Sequence, residues 1–175
     1  MSAAESTWVF GYGSLIYKVD FPFLERETGY IEGWERRFWQ GSHDHRGTPE
    51  APGRVVTLIP APGAVCKGVA YRVAHEVFEH LDHREKNGYE RHAVSVCLPL
   101  TTRHVGGILY VARADNHAFL GPAPLPELAA HIARASGPSG SNRDYVLALA
   151  DALRELNDPD PHVLALEALL LELQQ

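Results

Sequence analysis

Apolar and polar positions recur with two different periods along this chain, and the change falls about two-thirds of the way through. Residues 8–12 are aromatic and β-branched and run straight into Gly13 and Ser14, which predicts a strand ending in a tight loop. Residues 28–40 carry Tyr30, Trp34, Phe38 and Trp39 and predict one or two strands, broken near Gly33. The stretch 41–53 holds His43, Asp44, His45, Gly47, Pro49, Pro52 and Gly53; this punctuation predicts a long loop. Two apolar runs, 54–59 and 66–73, are separated by Pro60, Pro62 and Gly63 and predict a hairpin. Within 74–85, Val77, Phe78 and Leu81 fall at helical spacing, and this helix ends near Asn87 and Gly88. Period two returns in 89–98, where Val94, Val96 and Leu98 alternate with Ala93, Ser95 and Cys97, and again in 106–111.

Beyond the proline-rich step at 121–126 the pattern becomes helical over 127–135, 144–156 and 162–173, with Pro159 and Pro161 separating the last two. Strands first and helices last is the order of an α+β fold rather than of alternating βαβ units. With 175 residues and 45% hydrophobic content the chain is long enough to close one core, which predicts a single domain over 8–175 behind a short tail, 1–7.

Charge narrows the function classes. Sixteen Lys and Arg against 22 Asp and Glu give a net charge of -6, which argues against a nucleic-acid binder but leaves room for a local site for a small anion. The two cysteines, Cys66 and Cys97, have no metal spacing and fit a reducing compartment. Residues 1–7 lack the basic start and apolar run of a secretory signal, and no stretch approaches the roughly 20 apolar residues of a membrane helix. A cytoplasmic protein without membrane attachment is the expectation.

Three segments carry candidate chemistry. In Gly11-Tyr12-Gly13-Ser14-Leu15-Ile16, two glycines directly after a strand let successive backbone N–H groups point outward, as in a nest for a carboxylate; the alternative is a plain turn. The loop has neither the Lys-Ser/Thr of a Walker loop nor the third glycine of a dinucleotide fingerprint. The second segment, 81–89, joins charged residues to apolar Leu81 and Tyr89, where a carboxylate such as Glu85 either sits in a solvated helix end or is drawn into a cleft suited to proton transfer. The third, 136–145, is a glycine- and serine-rich loop running into a helix, with Ser141 and Asp144 spaced as an N-cap. Its glycines imply close approach of the backbone to something, and Tyr145 either presents its phenol to a cleft or packs. His43 with His45, and His80 with His83, bring no spaced third ligand, so no metal site is expected.

Taken in order, the segments 8–16, 36–41, 44–49, 52–58, 68–73, Arg84-Glu85-Lys86 with Gly88-Tyr89, and 137–140 with Asn142 and Tyr145 resemble the ChaC family. The resemblance runs from Trp8 to the final helix. It implies a mixed β-barrel flanked by helices, as in γ-glutamylcyclotransferases, and a cofactor-free lyase that releases 5-oxoproline from glutathione. Gly11, Tyr12, Gly13, Ser14, Leu15 and Ile16 are then the loop that binds the γ-glutamyl group and Glu85 is the acid/base, with Tyr145 counted as a further hydrogen-bond partner of that group. Arg36, Arg37 and Lys86 are offered as partners for the glycyl carboxylate. Tyr17, where the family usually has tryptophan, and Asn87, where it commonly has glycine, are departures that bear on substrate fit. Two other readings remain at this point: a cyclotransferase for other γ-glutamyl amino acids or amines, and a non-catalytic regulator of cation transport.

Overall fold

The computed structural model describes residues 6–85, 89–112, 115–158 and 160–173, with Glu85 described in its backbone only. The chain divides into two compact units, Met1–Glu35 with Pro60–Arg113 and Arg36–Ile59 with Ala114–Gln175.

The first unit is built on strands. β1 (Ser6–Gly11), β2 (Glu25–Ser42), β3 (Gly53–Ala74), β4 (Tyr89–Leu98) and β5 (Arg103–Ala112) close a barrel in the order β1-β3-β2-β4-β5, with residues 36–42 of β2 and 53–59 of β3 counted in the second unit. β1 runs antiparallel to β3, from Ser6 opposite Ala74 to Gly11 opposite Val69, and parallel to β5, with Val9 opposite Ile108. β4 and β5 pair along their whole length, and β2 meets β4 at Tyr30 opposite Cys97. The alternation read in β4 decides its faces: Val96 and Leu98 are fully buried while Ala93 and Ser95 are exposed. Val9, Phe10, Ile31, Val69, Tyr71, Val73 and Leu109 complete this core. Each such aliphatic side chain taken out of water contributes about 1.5–3 kcal/mol. Helix α1 (His75–Glu85) follows β3 at once and buries Leu81.

The second unit is mainly helical, with α2 (Leu125–Arg134), α3 (Asn142–Glu155) and α4 (Pro161–Leu173), the first two joined by a two-residue ladder, β6 (Ser136–Gly137) with β7 (Gly140–Ser141). The expected cap is present: Ser141 Oγ accepts from the Asp144 N–H at 3.1 Å, satisfying one donor of the first turn of α3. Asp160 does the same before α4, where its Oδ1 accepts from the N–H groups of His162 and Val163. Its other oxygen, with Asp158, neutralises the buried Arg36 guanidinium at 3.2 and 2.9 Å. The barrel strands and the four helices together make an α+β fold.

Two strand expectations are corrected. Runs 54–59 and 66–73 are not a hairpin but parts of one 22-residue strand, β3. A proline's fixed φ lies within the extended range, so Pro60 and Pro62 withhold N–H donors without reversing the chain. Gly63, at φ +86 with open space where a Cβ would stand, kinks the strand rather than ending it. Gly33 does likewise at φ +88, and β2 continues through it to Ser42.

Candidate active site

The glycine loop begins where β1 stops. At Gly11 the chain folds back so tightly that a Cβ there would lie 2.7 Å from Leu15 Cβ, and across the ladder a Cβ on Gly68 would lie 2.2 Å from the Gly11 carbonyl oxygen. Ser14–Ile16 then form a single 3₁₀ turn, closed by Ile16 N–H donating to Gly13 O and Tyr17 N–H to Ser14 O. The N–H groups of Gly13, Ser14 and Leu15 donate to no atom of the described residues. Three consecutive donors on a short, partly buried loop suit a carboxylate. Gly13 itself has φ -128, so its backbone does not depend on the left-handed region.

Two tyrosines fix this loop from opposite ends. Tyr71 Oη donates to Leu15 O at 2.5 Å, and the burial of that phenol raises its pKa. Phe21 and Phe23 pack on the Tyr71 ring, with centroids 5.5 and 5.4 Å away. Tyr12 Oη donates to the carbonyl of Tyr110, in β5, also at 2.5 Å.

The second candidate segment is the C-terminal turn of α1. Leu81 and Asp82 are buried there, and Asp82 Oδ1 accepts from Tyr110 Oη at 2.8 Å and pairs with Arg91 at 3.2 Å. Glu85 is the last residue of α1, three positions after Asp82 and four after Leu81. Its side chain, and Lys86, Asn87 and Gly88, lie outside the described residues. Neighbouring carboxylates are engaged at the surface: Glu79 pairs with His75 at 2.9 Å and Glu90 with His92 at 3.0 Å.

Gly11 to Ile16 and Glu85 thus belong to one unit, whereas Tyr145 belongs to the other. There Tyr145 is buried, its ring edge-on to Phe38 and beneath the Arg46 guanidinium, with its hydroxyl accepting from the Val56 N–H at 3.4 Å. The close approach announced by the glycines of 136–141 is to the loop 43–52 of the same unit. A Cβ on Gly137 would lie 2.5 Å from the carbonyl oxygens of both His45 and Gly47, and the Ser139 N–H donates to His45 O at 2.9 Å. Arg36, offered as a partner for a substrate carboxylate, is only 1% exposed and already holds Asp158 and Asp160. Arg37 donates to the Arg36 carbonyl.

Asp82, Tyr110, Arg91 and Tyr71 were not singled out by sequence. The one available signal is the pairing of strands 89–98 and 106–111, which sets Arg91 opposite Tyr110.

A family model for ChaC-like proteins matches residues 7–173. The chain is 42% identical over 182 residues to a glutathione-specific γ-glutamylcyclotransferase 1 of Danio rerio, covering 98% of this chain and 92% of the relative. It is 46% identical over 167 residues to γ-glutamylcyclotransferase 2-3 of Arabidopsis thaliana, covering 89% and 84%. Among solved structures, the yeast γ-glutamylcyclotransferase specific to glutathione superposes with a TM-score of 0.87 at 35% identity, covering 96% of both chains. Matched by the family model from the first residues of β1 to the last residue of α4, the chain belongs to the ChaC-like family.

Proposed function

We propose that this protein is a glutathione-specific γ-glutamylcyclotransferase, cleaving glutathione to 5-oxoproline and Cys-Gly. The observation that carries this reading is the match, along 98% of the chain, to a relative named for that activity, together with the 0.87 TM-score to the yeast enzyme. The chemistry needs little from the protein beyond positioning and one proton relay. The γ-glutamyl α-amine attacks its own γ-carbonyl, a five-membered lactam closes, and the amide nitrogen of Cys-Gly leaves. Nucleophile and electrophile belong to one molecule, so holding the attack geometry exploits effective molarities of roughly 10⁵ M or more.

Near neutral pH the attacking amine is mostly an ammonium. Glu85 accepts one ammonium proton before or during attack and returns it to the departing nitrogen; the second proton, lost as the lactam nitrogen becomes neutral, passes through the same carboxylate to the released amine of Cys-Gly, so Glu85 ends ionised as it began. The outward N–H groups of Gly13, Ser14 and Leu15 hold a substrate carboxylate or the developing oxyanion, aided by their fixed orientation. No metal or nucleotide takes part in this sequence of steps. The thiol form of glutathione is kept in reducing compartments, which fits the cytoplasm and the two free cysteines, Cys66 and Cys97.

The deciding experiment incubates purified protein with glutathione and, separately, with γ-Glu-Ala, and assays 5-oxoproline from each. Rapid release from glutathione alone supports the assignment. Equal turnover of both substrates points to a broader cyclotransferase, and no release from either returns the regulatory reading.

A further inference from the structure

Tyr110 is bonded at both ends of the residue. Its carbonyl accepts from Tyr12 Oη, on the glycine loop, and its own hydroxyl donates 2.8 Å to Asp82 Oδ1, on the last turn of α1. Arg91, directly opposite Tyr110 in the ladder, reaches the same carboxylate oxygen at 3.2 Å. Tyr110 is 6% and Asp82 8% exposed, so the bond between them is charge-assisted and formed largely away from water, whereas Arg91 reaches the carboxylate from a half-exposed position.

Their position gives them more than a packing role. Helix termini fray, and α1 ends three residues beyond Asp82. A carboxylate tied to two neighbouring barrel strands fixes both the rotation and the reach of that terminal turn. The same β5 residue fixes Tyr12, so one barrel position sets the loop and the helix end relative to each other.

We propose that Tyr110 and Asp82 are positioning residues, which hold the last turn of α1, and with it Glu85, in register with the loop Gly11 to Ile16. The inference rests on Glu85 being the acid/base of the proposed reaction. Proton transfer requires heavy atoms within about 2.6–3.2 Å, so a helix end free to drift loses turnover first. Binding through the loop persists, because the group on Tyr110 that holds Tyr12 is a backbone carbonyl, which side-chain substitution leaves in place.

The test is steady-state turnover of glutathione by Tyr110→Phe, which keeps the ring and the carbonyl and removes the hydroxyl. A fall in kcat of about tenfold to a hundredfold is expected, with KM within twofold of wild type. Asp82→Ala should lose at least as much, and the double variant no more than Asp82→Ala alone, since the two residues act through one bond. Wild-type kcat, a rise in KM with kcat unchanged, or multiplicative losses in the double variant would overturn the inference. Should Tyr110→Phe fail to fold, Asp82→Ala decides, because it removes the acceptor that the Tyr110 hydroxyl needs. Wild-type kcat in Asp82→Ala overturns the inference, and a loss in kcat at constant KM upholds it. Glu85→Gln is assayed alongside. If it turns over normally, the base assignment fails and the positioning role with it; if it is inactive while Tyr110→Phe is wild type, only the positioning role fails.

Discussion

Asn142 imitates a strand neighbour of Arg54. Its amide oxygen accepts from the Arg54 N–H and its amide nitrogen donates to the Arg54 carbonyl, both at 2.7 Å, with Asn142 wholly buried. Asn142→Ala would strand a buried donor and a buried acceptor of the main chain, each costing about 1–3 kcal/mol. A loss of about 2–4 kcal/mol in denaturant unfolding is expected, and Asn142→Asp, which keeps only the acceptor, should fall between. Loss below about 0.5 kcal/mol in Asn142→Ala would show that water replaces both bonds.

Glu85→Gln preserves size and hydrogen-bonding reach but removes the proton acceptor. At least a hundredfold loss in kcat for 5-oxoproline release is expected, with product binding retained. Glu79→Gln and Glu90→Gln, whose carboxylates meet His75 and His92 at the surface, should stay near wild type. An inactive Glu90→Gln beside an active Glu85→Gln would reassign the base.

Close packing constrains the glycine loop, which sets the choice of probe. Gly68→Ala pushes a methyl to 2.2 Å from the Gly11 carbonyl, a contact between backbone and Cβ that only movement of the loop relieves. Calorimetry should show 5-oxoproline affinity reduced at least tenfold. Gly106→Ala, where a Cβ meets nothing within 4 Å, is the control and should bind normally. Equal affinity in both variants would remove the loop from the binding site.

Acid should weaken the helical unit through His162. Burial, reinforced by Arg37, pushes its pKa from 6.5 down to about 4, while its Nε2 accepts from the Phe38 N–H at 3.0 Å. Below pH 6.5 the unfolded chain takes up a proton that the folded imidazole refuses until about pH 4. Stability is therefore fully present above pH 6.5 and declines toward pH 4, by roughly 2–3 kcal/mol from this group. Thermal melts between pH 7 and 4.5 should show that decline flattened in His162→Gln, which accepts the same bond without titrating. An identical slope in both proteins would assign the acid sensitivity elsewhere.

Local rules were legible where the deciding interaction is local. Val96 and Leu98 against Ser95, and Ser141 capping Asp144, follow from spacing within a few residues. Pro60, Pro62 and Gly63 were misread as a turn because those residues also occur in kinked strands, and only the strands beside them decide between the two. Tyr110 and Asp82 are 28 residues apart, and nothing along the chain shows that a tyrosine in one apolar run meets an aspartate in a charged helix end. The glycines of 136–141 announced a close neighbour but not which one, since a nearby carbonyl and a bound ligand demand the same missing Cβ.

Both units are stitched from separated stretches of chain, and this orders events as the protein emerges from the ribosome. Arg36 appears 122 residues before Asp158, and the Phe38 N–H 124 residues before the imidazole that accepts from it. Through most of translation a guanidinium and an aromatic ring destined for burial await partners not yet made, whereas the strands pairing β1, β3, β4 and β5 are all present by residue 112. Long-range closures of this kind are slow and leave apolar surface open to aggregation. A nascent chain stalled before α4 would therefore expose Phe38 and be a natural client for chaperones.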